Sequence, residues 1–243
     1  TALAPAELLR EAEWITTVDA PPPAGERPAY TFRRLFRVAG PVQRAVLVAT
    51  AHGVYEALLN GRRVGDEELT LGITSYRRTL QVQRFDVADL LHDGENELVL
   101  VVSDGWFRGR TGAHRVPDSF GTETAVIAAL TIETADGNVT VSTDGSWQCG
   151  VGEIVAADLM DGQTSDLRRL GRTEWSPVVA ASDPLTADRS RLVWPVAPAV
   201  RACEYYPAVR VTRLPSGRQI VDFGQNLNGW VRLSALGPRD TVV

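Results

Sequence analysis

Hydrophobic and polar residues recur along this chain mainly with a period of two, and glycine-bearing turns punctuate the alternation. Val46-Leu47-Val48-Ala49-Thr50 and Val54-Tyr55-Glu56-Ala57-Leu58-Leu59 read as strands. Asn60-Gly61 follows, two residues that tolerate positive φ in a type I′ turn, and Arg62-Arg63-Val64 returns. The same alternation predicts strands over 80–87 and 97–102, with a turn at Asp93-Gly94 between them, and a hairpin of 125–134 and 139–143 closed by Ala135-Asp136-Gly137-Asn138. Short strands at such spacing predict an all-β chain built as an antiparallel jelly-roll sandwich. Only 5–13, where Pro5 suits a first helical turn, and 87–91 read as helical.

Prolines mark the organisation. Ser176-Pro177, Asp183-Pro184, Trp194-Pro195 and Ala197-Pro198 interrupt any regular pairing and predict a boundary in 175–198. A new β run follows: 209–214, the turn Pro215-Ser216-Gly217, 219–223, the loop 224–230, and then Val231-Arg232-Leu233 and Thr241-Val242-Val243 as further strand. The expected layout is an N-terminal segment 1–28 packing on the β domains, a jelly-roll domain 29–175, and a linker with an incomplete second β-sandwich over 176–243. The unfinished last strand reads as a truncated fragment, cut inside a domain.

Composition narrows the function classes. With 243 residues, 44% of them hydrophobic and 23% charged, the chain buries a core without needing disulfides or metals. A net charge of -5 argues against a nucleic-acid footprint, and all 25 basic residues are Arg, which reads as codon bias from a GC-rich genome. Cys149 and Cys203 form no recognisable framework, and both are expected as small buried apolar residues. No apolar run approaches the roughly 20 residues that span a bilayer. The first 17 residues carry Glu7, Arg10, Glu11 and Glu13, so they are no secretory apolar region. The expectation is a cytoplasmic chain with no membrane partner.

Catalytic signatures are missing. The sequence holds no Gly-x-Ser-x-Gly elbow, no His-Glu-x-x-His and no glycine-rich phosphate loop. His52, His92 and His114 each sit near a turn residue and read as solvated loop histidines. Asp93, Asp136, Asp144 and Asp161 each precede Gly, where turns favour them. One segment resists that reading. Ser103-Asp104-Gly105-Trp106-Phe107-Arg108-Gly109-Arg110-Thr111-Gly112 sets two aromatics, two Arg and an Asp in a glycine-rich loop after a strand, a set that suits stacking on a pyranose face and bonding to vicinal hydroxyls. The competing reading is that Trp106 or Phe107 pins the loop to the core.

Ala51-His52-Gly53-Val54-Tyr55-Glu56, Leu59-Asn60-Gly61-Arg62-Arg63-Val64-Gly65-Asp66, Thr74-Ser75-Tyr76, Asp104-Gly105-Trp106-Phe107-Arg108-Gly109 and Thr143-Asp144-Gly145-Ser146-Trp147 stand in an order that resembles the N-terminal β-sandwich region of bacterial α-L-rhamnosidases of glycoside hydrolase family 78. Val221-Asp222-Phe223-Gly224-Gln225-Asn226-Leu227-Asn228-Gly229-Trp230 is similar to the family's second β module. Leu71-Gly72-Ile73-Thr74 and Gly162-Gln163-Thr164-Ser165-Asp166-Leu167-Arg168 depart from the family's Pro-Gly-Trp-Thr and Gly-Glu-x-Tyr-Asp-Ala-Arg. The resemblance implies a parent protein that removes terminal L-rhamnose with carboxylates in a downstream (α/α)6 barrel, its partner in the same chain.

Three functions follow as expectations: a non-catalytic N-terminal part that supports the barrel and binds a rhamnose-containing carbohydrate, a free-standing calcium-dependent L-rhamnose-binding module, or a complete small glycosidase. The first is favoured. The expected substrate-binding residues are Asn60, Asp104, Trp106, Arg108 and Arg110, if the fold brings the hairpin at Asn60 to the loop at Asp104. No catalytic residue and no obligatory cofactor are expected; the ion that would suit the site is Ca2+, with Asn60 and Asp104 as oxygen ligands, while a zinc site at the histidines is the lesser reading.

Overall fold

A computed structural model of the chain describes residues 3–18, 21–235, 237–238 and 241. Their contacts divide the chain into two compact units, Thr1–Val200 and Arg201–Val243. The expected strand over Thr241-Val242-Val243 falls largely outside the described residues, as do Thr1 and Ala2 of the N-terminal segment.

The first unit is an antiparallel sandwich of two six-stranded sheets. The two sheets and an attached hairpin are built from β1 (Ile15–Thr16), β2 (Tyr30–Val38), β3 (Val42–His52), β4 (Val54–Leu59), β5 (Arg62–Arg63), β6 (Gln83–Asp86), β7 (Gly94–Ser103), β8 (Ala125–Thr134), β9 (Gly137–Ser142), β10 (Gln148–Val151), β11 (Ile154–Asp158), β12 (Gly162–Ser165), β13 (Ser176–Pro177) and β14 (Val179–Ala180), with further two-residue strands at Glu67–Glu68, Leu80–Gln81 and Leu192–Val193. One sheet runs β14-β1-β8-β3-β6, with β9 also paired to β8; the other runs β13-β10-β2-β7-β4-β5; β11 and β12 form a separate hairpin. From β2 to β8 the chain passes back and forth between the two sheets, with the short β5 folding back beside β4, and β9 folds back beside β8 before β10 returns to the other sheet. That winding is the expected jelly roll.

Alternation sets the core. Along β7, Asn96, Leu98, Leu100 and Val102 are buried while the residues between them are only half-buried, as a strand with one inward face requires. β8 sits inside its sheet, and Ala125 through Leu130 are buried without a break, the continuous apolar run of a strand covered on both faces. Leu9, Ala12 and Trp14 join the same core as Phe32, Leu47, Leu100 and Ile127. The predicted helix over 5–13 is a single turn, α1 (Pro5–Leu8), and that over 87–91 is a 3-10 turn, Ala88–Leu90.

Two expectations need correction here. The proline-rich stretch does not escape pairing: Ile15 and Thr16 pair with Ala180 and Val179, Cys149 pairs with Ser176, and Leu192 pairs in parallel with Leu80. Prolines are tolerated because these are two-residue edge strands with few ladder donors to lose. His52 is no solvated loop residue. It ends β3 fully buried, its ring 4.2 Å from Phe107 and 4.6 Å from Trp14.

The second unit contributes one hairpin among its described residues, β15 (Arg210–Arg213) and β16 (Gln219–Asp222), paired Arg210↔Asp222 through Arg213↔Gln219. Among the described residues Val231-Arg232-Leu233 is not strand. Cys149 is buried as expected, whereas Cys203 is exposed in this unit.

Candidate functional site

The glycine-rich segment after β7 turns into a one-turn helix, α2 (Gly105–Arg108). Gly105 holds φ +53, and a Cβ on it would lie 2.6 Å from the backbone nitrogen of Val54, so only glycine lets α2 fold this tightly onto β4. The turn places Asp104 and Arg108 four residues apart on one face. There Asp104 Oδ1 accepts Arg108 Nε at 2.7 Å and lies 2.6 Å from Nη2, while Oδ2 accepts Arg27 Nη1 at 3.2 Å.

Arg27 extends the network. Its Nη1 also donates to Asp118 Oδ1 at 2.8 Å, its Nη2 to Asp118 Oδ2 at 3.3 Å, and its Nε to the Pro22 carbonyl. Burial alone would lower the Arg27 pKa, but Asp118 and Asp104 outweigh it and hold the guanidinium charged. Two cations face two carboxylates, so the buried set is neutral. Sequence reading offered Asp104 and Arg108 as sugar contacts. Both are spent on this internal network.

The other three expected contacts fare variously. Trp106 is half-buried against the core, and Phe107 is fully buried, so the pinning reading holds for Phe107. Arg110 staples the loop to the turn between β11 and β12: its Nε lies 2.8 Å from Asp161 Oδ2, its Nη2 donates to the Ala24 carbonyl, and its amide donates to Asp158 Oδ2. Arg115 pairs with Asp161 as well. Asn60 lies at the far end of β4. Val54 pairs with Ser103 and Leu59 with Leu98, so six strand residues, roughly 20 Å, separate Asn60 from Asp104. The fold does not bring the two together.

Calcium finds no fit at either residue. The Asn60 side chain donates to Leu90 O and Asn96 Oδ1 and accepts from the Glu97 amide, and both Asp104 oxygens face guanidinium groups. Among the described residues no group of three His, Cys, Asp or Glu side chains has the arrangement of a metal site.

A cavity of about 540 Å³ opens beside this network, with Arg108 on its wall. Phe120 forms an apolar face, backed edge-on by Tyr76 at 4.9 Å and flanked by Phe107. Glu123 and Asp183 line it too, but Glu123 accepts from the amides of Ser182 and Asp183, and Asp183 accepts from the amide of Leu185. Arg77 is exposed on the rim. Behind the aromatic wall, Arg191 donates to Leu185 O, Tyr76 O and, at 2.5 Å, His52 Nε2. That bond makes Nε2 the acceptor and leaves the proton on Nδ1. Burial, and then the Arg191 charge, push the His52 pKa down to about 3. Sequence reading missed this cavity because its walls come from segments far apart in the chain.

Residues 40–204 match the α-L-rhamnosidase N-terminal domain family. The chain belongs to that family. It is 39% identical over 212 residues to an α-L-rhamnosidase of Streptomyces avermitilis, a match covering 83% of this chain and 20% of that protein. The crystal structure of that organism's enzyme complexed with L-rhamnose superposes with a TM-score of 0.77 at 36% identity, over 82% of this chain and 20% of the other. Native α-L-rhamnosidase from Aspergillus terreus gives a TM-score of 0.84 at 29% identity, over 93% of this chain and 27% of that one. The chain therefore spans about a fifth of the curated relatives it matches.

Proposed function

We propose that this chain is the non-catalytic N-terminal part of an α-L-rhamnosidase, whose whole protein cleaves terminal α-L-rhamnosyl groups with carboxylates in a downstream (α/α)6 domain. The match to the Streptomyces avermitilis enzyme carries this reading, because it is extensive for this chain and slight for that protein. Within the chain, Glu123 and Asp183 hold their own backbone rather than a substrate, which supports a supporting and binding role over a catalytic one. The same proposal places the protein in the cytoplasm, where the exposed Cys203 thiol would stay reduced.

Binding of a rhamnose-containing carbohydrate by this chain belongs to the proposal, supported by clefts that combine an aromatic face with donors for hydroxyls. The free-standing calcium-dependent module is the weaker reading, since Asn60 and Asp104 lack spare oxygens. The test is release of p-nitrophenol from p-nitrophenyl α-L-rhamnoside by the purified chain and by the product of the full reading frame. Activity is expected in the second alone, and turnover by the purified chain would overturn the non-catalytic assignment.

A further inference from the structure

The outward face of the β2, β7 and β4 strands carries a second cleft, of about 350 Å³, remote from the sequence motifs. Its floor is a contiguous platform: Thr31 pairs with Val101, and Val99 lies between Arg33 and Leu58. Residues 152–154 and 171–175 wall it in, which is why these outward-facing side chains are half-buried rather than exposed. The size is that of a small-ligand pocket.

Trp175 supplies an aromatic surface there. The Arg33 guanidinium stands 3.9 Å from its ring centroid, and Arg33 Nε and Nη2 both donate to Gln148 Oε1, at 3.1 and 2.9 Å. The ring is thus held in place before any ligand arrives, which lowers the ordering cost of binding. Glu153 adds a carboxylate to the cleft, and Thr31 and Thr173 add hydroxyls. Among the described residues none of these three side chains has a hydrogen-bond or ion-pair partner. Charge narrows the ligand. Arg33 is one cation against Glu97, 3.8 Å away, and Glu153, so the lining carries one uncompensated negative charge and repels phosphates and uronates.

We propose that this cleft is a metal-independent recognition site for a neutral saccharide, in which Trp175 and the Val99-Val101 floor meet a C–H face and Glu153, Thr31 and Thr173 bond vicinal hydroxyls. The choice of sugar rests on the rhamnosidase reading. The experiment is calorimetric titration of the purified chain with L-rhamnose and with the disaccharide rutinose in EDTA, alongside Trp175→Ala, Glu153→Gln, Thr173→Val and Phe120→Ala. Saturable heat that Trp175→Ala removes, that Glu153→Gln weakens by about tenfold, and that Phe120→Ala leaves intact is expected. Should Trp175→Ala fail to give the wild-type circular dichroism, Glu153→Gln and Thr173→Val decide, because neither is a core residue. Heat lost with Phe120→Ala and kept in the cleft variants overturns the inference and leaves the larger cavity as the sugar site. An absence of saturable binding of both sugars by the wild type also overturns it, while the non-catalytic assignment is decided separately by the p-nitrophenol assay.

Discussion

Arg27 and Asp104, 77 residues apart, meet with Nη1 3.2 Å from Oδ2 where their side chains are 8% and 1% exposed. Removing the carboxylate would leave the buried Arg108 guanidinium without its anionic partner and Arg27 with Asp118 alone. Asp104→Ala is therefore expected to cost about 3–5 kcal/mol, read as a lower urea midpoint with an unchanged slope. A variant within about 1 kcal/mol of the wild type would show that water or relaxation compensates the network.

That pair also marks where sequence reasoning stops. Asn60-Gly61 was legible because the signal is local: the two residues sit at φ 54 and 73, the left-handed turn that the dipeptide favours. The β8–β9 hairpin was legible for the same reason, its pattern and turn being contiguous. Asp104 and Arg108 looked like ligand contacts because their partner Arg27 comes from a distant segment, and no spacing rule links the two. His52 misled in the same way. A glycine follows it, as in a loop, yet β3 continues to His52 because Ala125 of β8 pairs with it, and only the fold encloses the ring between Trp14 and Phe107. The cavity beside Arg108 and the cleft at Trp175 were illegible altogether, since each is a gap between elements rather than a property of one.

The buried imidazole sets a pH dependence. His52 is held down to about 3, chiefly by burial and then by Arg191, against 6.5 for a free imidazole. Below 6.5 the unfolded chain takes up a proton that the folded chain refuses, so this stability is complete above 6.5 and is lost as pH falls toward 3. The loss reaches about 2 kcal/mol at pH 5. His52→Gln keeps an acceptor for Arg191 without titrating. The stability gap between it and the wild type should shrink by about that amount from pH 7 to pH 5, and a constant gap would show that His52 protonates in the folded state.

Calcium should leave this chain unmoved. A ligand that binds only the folded state raises its melting temperature, so a filled site at Asn60 or Asp104 would appear as a shift between calcium and EDTA. With their oxygens engaged, a difference under about 1 °C is expected. Asn60→Ala, by contrast, removes three hydrogen bonds and a residue at home in the left-handed region, and should cost about 1–3 kcal/mol with or without calcium. A calcium-dependent cost would reinstate Asn60 as a ligand.

The tightest constraint on the site lies one residue beyond His52. Gly53 joins β3 to β4 at φ +143, and a Cβ built on it would fall 2.2 Å from the carbonyl oxygen of Ser103. That oxygen belongs to the end of β7, immediately before Asp104, so β4 cannot yield without dragging the strand that positions α2. Gly53→Ala should thus cost on the order of 3 kcal/mol, combining the strain of its φ with the backbone clash. The effect should also be local: amides of 103–110 should lose hydrogen-exchange protection before those of β8, because the displaced Ser103 feeds directly into the Asp104 network. Uniform loss of protection across both sheets would mean that the turn at Gly53 governs the whole sandwich rather than this end of it.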